Sequence, residues 1–354
     1  MKKRMWQALG LLGVMALLLV RSAVAGEAVR RGLTLCARSV VPALFPYFVV
    51  SGLFTSLGFA EGVGRRLAPV TEHLFGVGGA GASALFLGLL GGYPVGGRTA
   101  GQLYRAGRLE KDEAQRLLAF CNNAGPSFIL GVVGLGCLQS LRSGVALYVI
   151  HALSAVMVGI LQKKKGHPCR RSLLPSSPPE KILPAFIHSV QDSAGAMVRI
   201  CGFVVFALVV QALLAELTGI THPAALGFIE LTGGVVRLGS SPSDFVWAAA
   251  LLGWGGLSVH GQVWAGLRGQ LKPDGGFFLG RLLHGVAGGC LSLLLFYLFP
   301  APEHTVDAIA SGDTALPFSV TCAASLALLG FTFLAMLCFS PKNTGKNPAD
   351  MVHC

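Results

Sequence analysis

The sequence predicts an all-α polytopic membrane protein with two related halves, each carrying a broken or re-entrant helix. Three observations predict this fold class: an apolar composition, apolar runs long enough to cross a bilayer, and a glycine-rich stretch that occurs twice. Of the 354 residues, 53% are hydrophobic and only 12% are charged, which is far from the average of soluble domains. The 48 glycines suit close helix contacts and broken helices in a membrane.

The repeated stretch begins at Leu87 and ends at Leu103, and its apolar run is interrupted by the kernel Gly-Gly-Tyr-Pro-Val-Gly-Gly. Glycine and proline are poor helix formers, so we do not expect a continuous helix there. At a spacing of 164 residues, the stretch from Leu251 to Leu267 aligns with it without a gap. The glycines that coincide are Gly91 with Gly255, Gly92 with Gly256, and Gly97 with Gly261. We therefore expect two related halves, at 26–162 and 183–300.

The remaining boundaries follow from charge and composition. Residues 1–25 form an apolar helix behind a basic start, and Ala23-Val24-Ala25 has the small-residue pattern of a signal-peptidase site. Cleavage and an uncleaved anchor both stay open. Residues 163–182 are basic and Ser/Pro-rich, which predicts a cytoplasmic linker. Residues 301–354 are expected to hold a loop, a last span over 316–339 and a tail.

The distribution of charge conflicts with one expectation about topology. Basic residues follow both glycine-rich stretches, and this bias would place both following loops in the cytoplasm. Inverted repeats, which are common in transporters, would place the two loops on opposite sides. A re-entrant first segment would reconcile the two expectations.

Composition and motifs exclude several classes of protein. The net charge of +12 sits in short clusters between apolar runs, which indicates membrane orientation and not nucleic-acid binding. The nine cysteines include no CxxC pair and lie mostly within apolar runs, so neither a disulfide framework nor a metal site is expected. Motifs of nucleotide-binding loops and of hydrolases are absent from the sequence. We expect no enzyme and no cofactor.

The strongest candidate site is the pair of broken segments. Half-helix ends expose free N–H and C=O groups near the bilayer midplane, where transporters bind solutes. The alternative is that the glycines only allow close helix packing. His260 could relay a proton, or it could be a hydrogen-bonded structural residue. The candidate residues of the two segments are Gly91, Gly92, Tyr93, Pro94, Gly97, Gly255, Gly256, Ser258, His260 and Gln262.

Two further stretches add polar groups to apolar segments. The first is a helix break with Asn122, Asn123, Pro126 and Ser127, where helix-end N–H groups would favour an anion such as a carboxylate. Interhelical hydrogen bonding is the alternative. The second holds Glu230 and, two residues on, Thr232.

A charged residue inside a membrane is functional by default. Glu230 is therefore expected either to couple transport to H+ or Na+ or to pair with Arg199. Arg281 and His284 are interpreted as structural.

The same motifs resemble a known family. The kernel at 91–97, the charged helix ending at 113–117, the break at 122–128, and the stretches 229–233 and 254–262 are similar, in this order, to the YlbJ-type sporulation integral membrane proteins. That family lies within the wider group that carries a nucleoside-recognition, or Gate, domain. The resemblance covers about residues 30 to 300 and implies an architecture like that of concentrative nucleoside transporters.

The resemblance also implies a function: transport of dipicolinate, a planar aromatic dicarboxylate, toward the forespore, and a requirement in spore cortex formation. The location would be the cell membrane or the outer forespore membrane, with multiple passes through the bilayer. Two alternatives stay open, a membrane scaffold that recruits spore-assembly proteins and a nucleoside transporter. The expected partners are a small solute and the lipid bilayer, and a homo-oligomer is left open.

Overall fold

The computed structural model describes residues 2–163, 180–267, 269 and 271–298, which are helical and include no strand. Most of the predicted linker, and the predicted loop and last span within 301–354, lie outside the described residues. Two π-helices are present in this part of the chain, Cys36–Val40 and Ser127–Cys137. The α-helices are α1 (Lys2–Val20), α2 (Ser22–Leu35), α3 (Val41–Ser56), α4 (Phe59–Phe75), α5 (Gly79–Gly91), α6 (Val95–Arg105), α7 (Lys111–Cys121), α8 (Leu141–Leu161), α9 (Ile182–Thr218), α10 (Pro223–Ile229), α11 (Leu231–Val235), α12 (Pro242–Trp254), α13 (Gly256–Gly266) and α14 (Gly275–Leu298).

The prediction of several membrane passes is confirmed. Within the described residues, five helices are long and apolar enough to cross a bilayer. They are Lys3–Val20, Ser22–Ser56, Leu141–Leu161, Ile182–Thr218 and Gly275–Leu298. The second of them joins α2 to α3 through the first π-helix, so residues 22–56 form one continuous helical run.

Several contacts place the beginnings of α7 and α14 at one end of the bundle. The side chain of Gln115 donates to the carbonyl of Lys272 at 3.4 Å, and Gln162, after α8, donates to the carbonyl of Gly276 at 3.0 Å. Basic residues collect there, so we call it the basic end; they are Arg105, Arg108, Lys111, Lys163, Lys181 and Lys272. Both charged loops that follow the glycine-rich stretches therefore lie at the same end.

Helix α4 lies across the basic end. Near its start, Glu61 pairs with Arg108 at 2.5 Å, and near its finish the carbonyl of His73 accepts a hydrogen bond from Lys163. Both partners belong to the basic end, and α4 is bent by 93° from α5. The pair formed by α4 and α5 is therefore a surface helix followed by a helix that enters the bundle.

The first glycine-rich segment is a re-entrant hairpin. Gly81 and Gly88 of α5 lie against Leu117 and the Cys121 carbonyl of α7, so α5 runs in the direction of α7. Gly96 of α6 lies against the same carbonyl, and α6 then returns to the basic end. A methyl group at Gly88 or Gly96 would overlap the Cys121 carbonyl, so only glycine permits this close approach.

The second glycine-rich segment crosses the bundle. Helix α12 runs opposite to α14, since Phe245 contacts Phe296 while Gly253 lies against Gly285. After the break, α13 runs to the basic end, where Leu267 lies against Gly101 of α6. The two glycine-rich segments therefore follow different paths, and the first is re-entrant. Because the first returns and the second crosses, their loops share one end, as the charge bias predicts.

A second hairpin and a second broken crossing are present. Helices α10 and α11 reverse at Glu230, with Gly234 against Gly227, and this hairpin enters from the end opposite the basic end. Helix α7 breaks over 122–126 and continues as the π-helix Ser127–Cys137. A hairpin followed by a broken crossing thus occurs twice, once from each end. The relation between the two halves stays a prediction. By its hairpin geometry, α5–α6 corresponds to α10–α11, whereas α12–α13 is a broken crossing.

Candidate functional site

The tips of the hairpins and the breaks of the crossings meet in the middle of the bundle. Gly92 at the first tip, with φ of +81°, lies against Gly125 in the break after α7. Gly255, with φ of +88°, lies against the ring of Tyr93. Gly256 lies against the backbone of Leu231 at the second tip. These positive φ angles and close backbone contacts explain why the kernel and its counterpart are rich in glycine.

Arg281, fully buried on α14, binds the carboxyl ends of two of these half-helices. Its guanidinium donates to the carbonyl of Asn122 at 2.6 Å, to that of Trp254 at 3.4 Å and to that of Gly253. A helix carboxyl end carries partial negative charge. Arg281 therefore compensates the broken ends of α7 and α12 at once.

Tyr93 links the first hairpin to the same group. Its hydroxyl donates to the carbonyl of Leu252 and accepts from Arg281 at 3.0 Å, and its ring centre lies 5.5 Å from the guanidinium carbon. His260 donates to the Trp254 carbonyl at 3.0 Å. The last carbonyls of α12 are thus hydrogen-bonded by side chains from three other segments, where a helix end would otherwise leave them free.

Two buried histidines lie behind the break after α7. The rings of His151 and His284 stack with centroids 4.5 Å apart. The backbone N–H of Ala124 donates to Nε2 of His151 at 3.0 Å, so this nitrogen carries no proton. Arg281 donates to Nδ1 of His284 at 3.2 Å, and Nε2 of His284 therefore carries the proton donated to the His151 carbonyl at 3.0 Å.

Glu230 forms the tip of the second hairpin and is buried, with 1% of its surface exposed. Its carboxylate accepts the backbone N–H of Gly233 at 2.5 Å and so caps the start of α11. Its carbonyl accepts from the Gln211 side chain at 3.1 Å. The suggested ion pair with Arg199 is not formed, because the carboxylate faces its own hairpin and Arg199 lies elsewhere, on an outer cavity described below.

An inner cavity of about 40 Å³ lies at this meeting point. The two hairpin tips contribute Tyr93, Glu230 and Thr232, the break after α7 contributes Ala124 and Gly125, and α13 contributes Val259 and Gln262. Apolar side chains close the remaining walls: Val40, Leu44, Phe128, Ile200, Leu231 and Val204. The cavity therefore combines an apolar surround with a few polar groups, as small-molecule sites do.

An outer cavity of about 140 Å³ lies between α3, α6, α9 and α13. Gln262 and Ile200 line both cavities, so these two residues separate the outer from the inner space. The charged side chains of Arg98, Asp192 and Arg199 line the outer cavity, together with the imidazole of His188. Its residues extend from Pro94 at the first tip to Ser56 and Gln102, near the basic end.

Three half-helices begin next to these cavities. Helix α6 begins at Val95 on the outer cavity, the second π-helix begins at Ser127 between two residues of the inner one, and α13 sends Val259 and Gln262 into it. None of the three helices has an acidic residue in its first turn. Their amino ends therefore leave partial positive charge toward the cavities, while Arg281 compensates the carboxyl ends of α7 and α12.

Of the candidate residues, Tyr93, Glu230, Thr232 and Gln262 line the inner cavity, and Pro94 lines the outer one. The glycines Gly91, Gly92, Gly97, Gly255 and Gly256, together with Pro126, shape the backbone beside them. Their direct contact with a solute stays a prediction.

Other candidates face away from both cavities. Asn123 donates to the Phe120 carbonyl at 2.9 Å, Ser127 donates to the Ala43 carbonyl at 2.6 Å, and Ser258 accepts from Gln262 at 3.4 Å. His260 sits against the rings of Trp254 and Phe277. Ser127 and His260 thus connect neighbouring segments, whereas Asn123 and Ser258 bond within their own segments.

Asn122 is different, since it is fully buried and neither atom of its amide group has a partner among the described residues. Its amide oxygen lies beside Gly97 of α6.

Sequence reasoning missed two residues of this site. His151 lies in the apolar span α8, and Gln211 lies in an apolar stretch of α9. A buried polar residue within an apolar span is the signal that could have identified both. The structural role of Arg281 and His284 stays an interpretation, and the position of Arg281 at the helix breaks was not predicted.

Comparison with known proteins identifies one curated relative. The sporulation integral membrane protein YlbJ of Bacillus subtilis (strain 168) is 27% identical over 319 aligned positions, which cover 76% of this chain and 77% of that protein. No family model and no solved structure matches the chain, so the likeness to the nucleoside-recognition, or Gate, group stays a prediction. The relative is an integral membrane protein by name, and the structure described above has several candidate spans. The chain is therefore a multi-pass integral membrane protein that is similar to the sporulation integral membrane protein YlbJ.

Proposed function

We propose that this sporulation protein is a membrane transporter of a small anionic aromatic solute, dipicolinate. The observation that carries the proposal is the inner cavity, where two hairpin tips and two broken crossings meet in the middle of the bundle. Irregular backbone at this depth is tolerated where it lines a cavity. Paired discontinuous helices of this kind are typical of transport sites.

The charge arrangement favours an anion. The amino ends of α6, of the second π-helix and of α13 lie at the cavities and have no acidic residue in their own first turns, so their N–H groups attract negative charge. The carboxyl ends of α7 and α12, which would repel an anion, are covered by Arg281. Apolar residues such as Phe128 and Ile200 supply contact surface for a ring.

We further propose that transport is coupled to an inward or outward flow of H+ or Na+. Glu230 shares the inner cavity with the proposed solute, and two negative groups in one apolar cavity repel each other. A proton or a sodium ion on Glu230 would remove this repulsion. The cavity would then bind the solute together with the cation on Glu230, and it would bind the solute poorly without that cation.

The orientation follows from the basic residues. Cytoplasmic loops of membrane proteins carry an excess of Lys and Arg. We therefore place the basic end, and with it the opening of the outer cavity, in the cytoplasm. Whether the membrane is the cell membrane or the outer forespore membrane stays a prediction.

Binding of dipicolinate to the purified protein in detergent, measured by calorimetry, tests the site. Gln262→Leu removes an amide donor at the boundary of the two cavities and is expected to weaken binding about tenfold, since a hydrogen bond to a charged group is lost. Thr232→Val removes a hydroxyl group and is expected to weaken binding by a smaller factor.

Ser292→Ala is the matched control, because this buried hydroxyl bonds to Gly288 of its own helix and lines neither cavity. Uridine and adenosine in the same titration separate dipicolinate from nucleosides. If a nucleoside binds more tightly than dipicolinate, the assignment of the substrate is wrong. If Gln262→Leu and Thr232→Val both leave dipicolinate binding unchanged, the assignment of the site is wrong. A protein that binds neither solute would favour the scaffold.

A further inference from the structure

The outer cavity contains an arrangement of charges that the proposed transport site does not use. Arg98 of α6 pairs with Asp192 of α9 at 2.5 Å, across the space between the hairpin and α9. Arg199, seven residues further along α9, lines the same cavity. No carboxylate among the described residues forms an ion pair with Arg199. The cavity thus holds two guanidinium groups and one carboxylate that is bonded to one of them.

The positions of these groups within the fold make them accessible to a solute. Arg98 lies one turn after the first hairpin tip, and Gln102, on the same face of α6, also lines the cavity. The Asp192 side chain is 65% exposed, so its bond to Arg98 competes directly with solvent and with dissolved anions. Arginine within an apolar helix that faces a wet cavity marks a solute path. His188, which also faces the cavity, is held by Glu180 at 3.3 Å.

We propose that the outer cavity is a second anion-binding site, in which Arg98 and Arg199 bind a dicarboxylate and Asp192 acts as a built-in competitor for Arg98. A guanidinium group binds a carboxylate through two parallel N–H donors, and two such groups suit a solute with two carboxylates. When the site is empty, Asp192 occupies Arg98. A dicarboxylate that enters from the basic end displaces Asp192 and bridges α6 and α9.

This inference makes two variants that break the same ion pair act in opposite directions. Asp192→Asn frees Arg98 and is expected to tighten dipicolinate binding about fivefold, the size of a partly exposed ion pair. Arg98→Gln removes the donor and is expected to weaken binding about tenfold. If the pair were only a tether between α6 and α9, both variants would change binding in the same direction.

The experiment is calorimetric titration of the purified full chain in detergent with dipicolinate and with picolinate, which has one carboxylate. Arg199→Gln is expected to weaken dipicolinate binding about tenfold and to bring its affinity close to that of picolinate. Arg142→Gln is the control, because Arg142 is exposed at the start of α8 and lines neither cavity. Changes of the same sign for Asp192→Asn and Arg98→Gln, or no change in either, would overturn the second site.

The outcome is separable from that of the transport proposal. Binding is measured without a membrane gradient, and the inner-cavity variant Thr232→Val is titrated in parallel. If the outer-cavity variants leave dipicolinate binding unchanged while Thr232→Val weakens it, only the proposal of the second site is refuted. If Thr232→Val leaves binding unchanged while the outer-cavity variants alter it, the inner site is refuted and the outer site is supported.

Discussion

Replacing Arg281 with methionine is expected to prevent the protein from reaching its native fold or to lower its unfolding midpoint more than any other single change in the bundle. Arg281 is fully buried and donates to the carbonyls of Asn122, Gly253 and Trp254 and to the hydroxyl of Tyr93. Methionine fills a similar volume but removes the guanidinium donors of the Asn122 and Gly253 carbonyls and of the Tyr93 hydroxyl, while the Trp254 carbonyl keeps its bond from His260. Each buried acceptor that is left without a partner costs about 1–3 kcal/mol, and several are affected at once.

The unfolding midpoint of Arg281→Lys should fall between those of the unmodified protein and of Arg281→Met. It keeps the charge but offers three donors from one point in place of five in a planar fork, so it cannot bind α7, α12 and Tyr93 together. Arg237→Met is the matched control, since Arg237 is exposed after α11. The measurement is the thermal midpoint in detergent, followed by size-exclusion chromatography with fluorescence detection. Equal midpoints for Arg281→Met and Arg237→Met would show that Arg281 does not hold the helix breaks together.

Glu230→Gln is expected to abolish gradient-driven accumulation of dipicolinate while leaving its binding within about threefold of the unmodified protein. Glutamine keeps the oxygen that accepts the Gly233 N–H, so the hairpin tip should stay folded. It is permanently neutral, however, and can neither bind nor release a proton. The solute should then equilibrate across the membrane without responding to an imposed pH gradient.

The readout is the ratio of internal to external dipicolinate in proteoliposomes with an imposed pH or sodium gradient. Glu216→Gln is the control, because Glu216 lies at the end of α9 in a partly exposed pair with Arg21. Accumulation by Glu230→Gln equal to that of the unmodified protein would exclude Glu230 as the coupling group. A response to sodium and not to pH would identify the coupling ion.

The sequence predicted the membrane class and the position of the helix breaks well, because both depend on local properties. Glycine at 91, 92, 255 and 256 and proline at 126 disfavour a continuous helix whatever surrounds them. Whether a broken segment returns or crosses depends on its neighbours. The return of α5–α6 requires Gly88 and Gly96 to fit against the Cys121 carbonyl, a contact that no periodicity in either segment indicates.

The candidate site was predicted in part for the same reason. Glu230, Thr232 and Gln262 are polar residues in apolar stretches, and they line the inner cavity. Ser127 and His260 have the same sequence signal, yet their side chains bond to the backbone of Ala43 and Trp254. A polar residue that faces a cavity cannot be distinguished in sequence from one that joins two helices, since both avoid lipid. The contacts of Arg281 with the helix breaks could not be predicted, because its partners are backbone carbonyls, which every residue carries.

Dipicolinate uptake by the purified protein in proteoliposomes, against protein-free liposomes of the same lipid, tests the central claim most directly. The claim is that the cavity where the hairpin tips and helix breaks meet carries a small anion across the membrane. It predicts time-dependent uptake that saturates with dipicolinate concentration and rises when a pH or sodium gradient is imposed. Uptake no faster than that of protein-free liposomes, from protein that is folded and inserted, would contradict it.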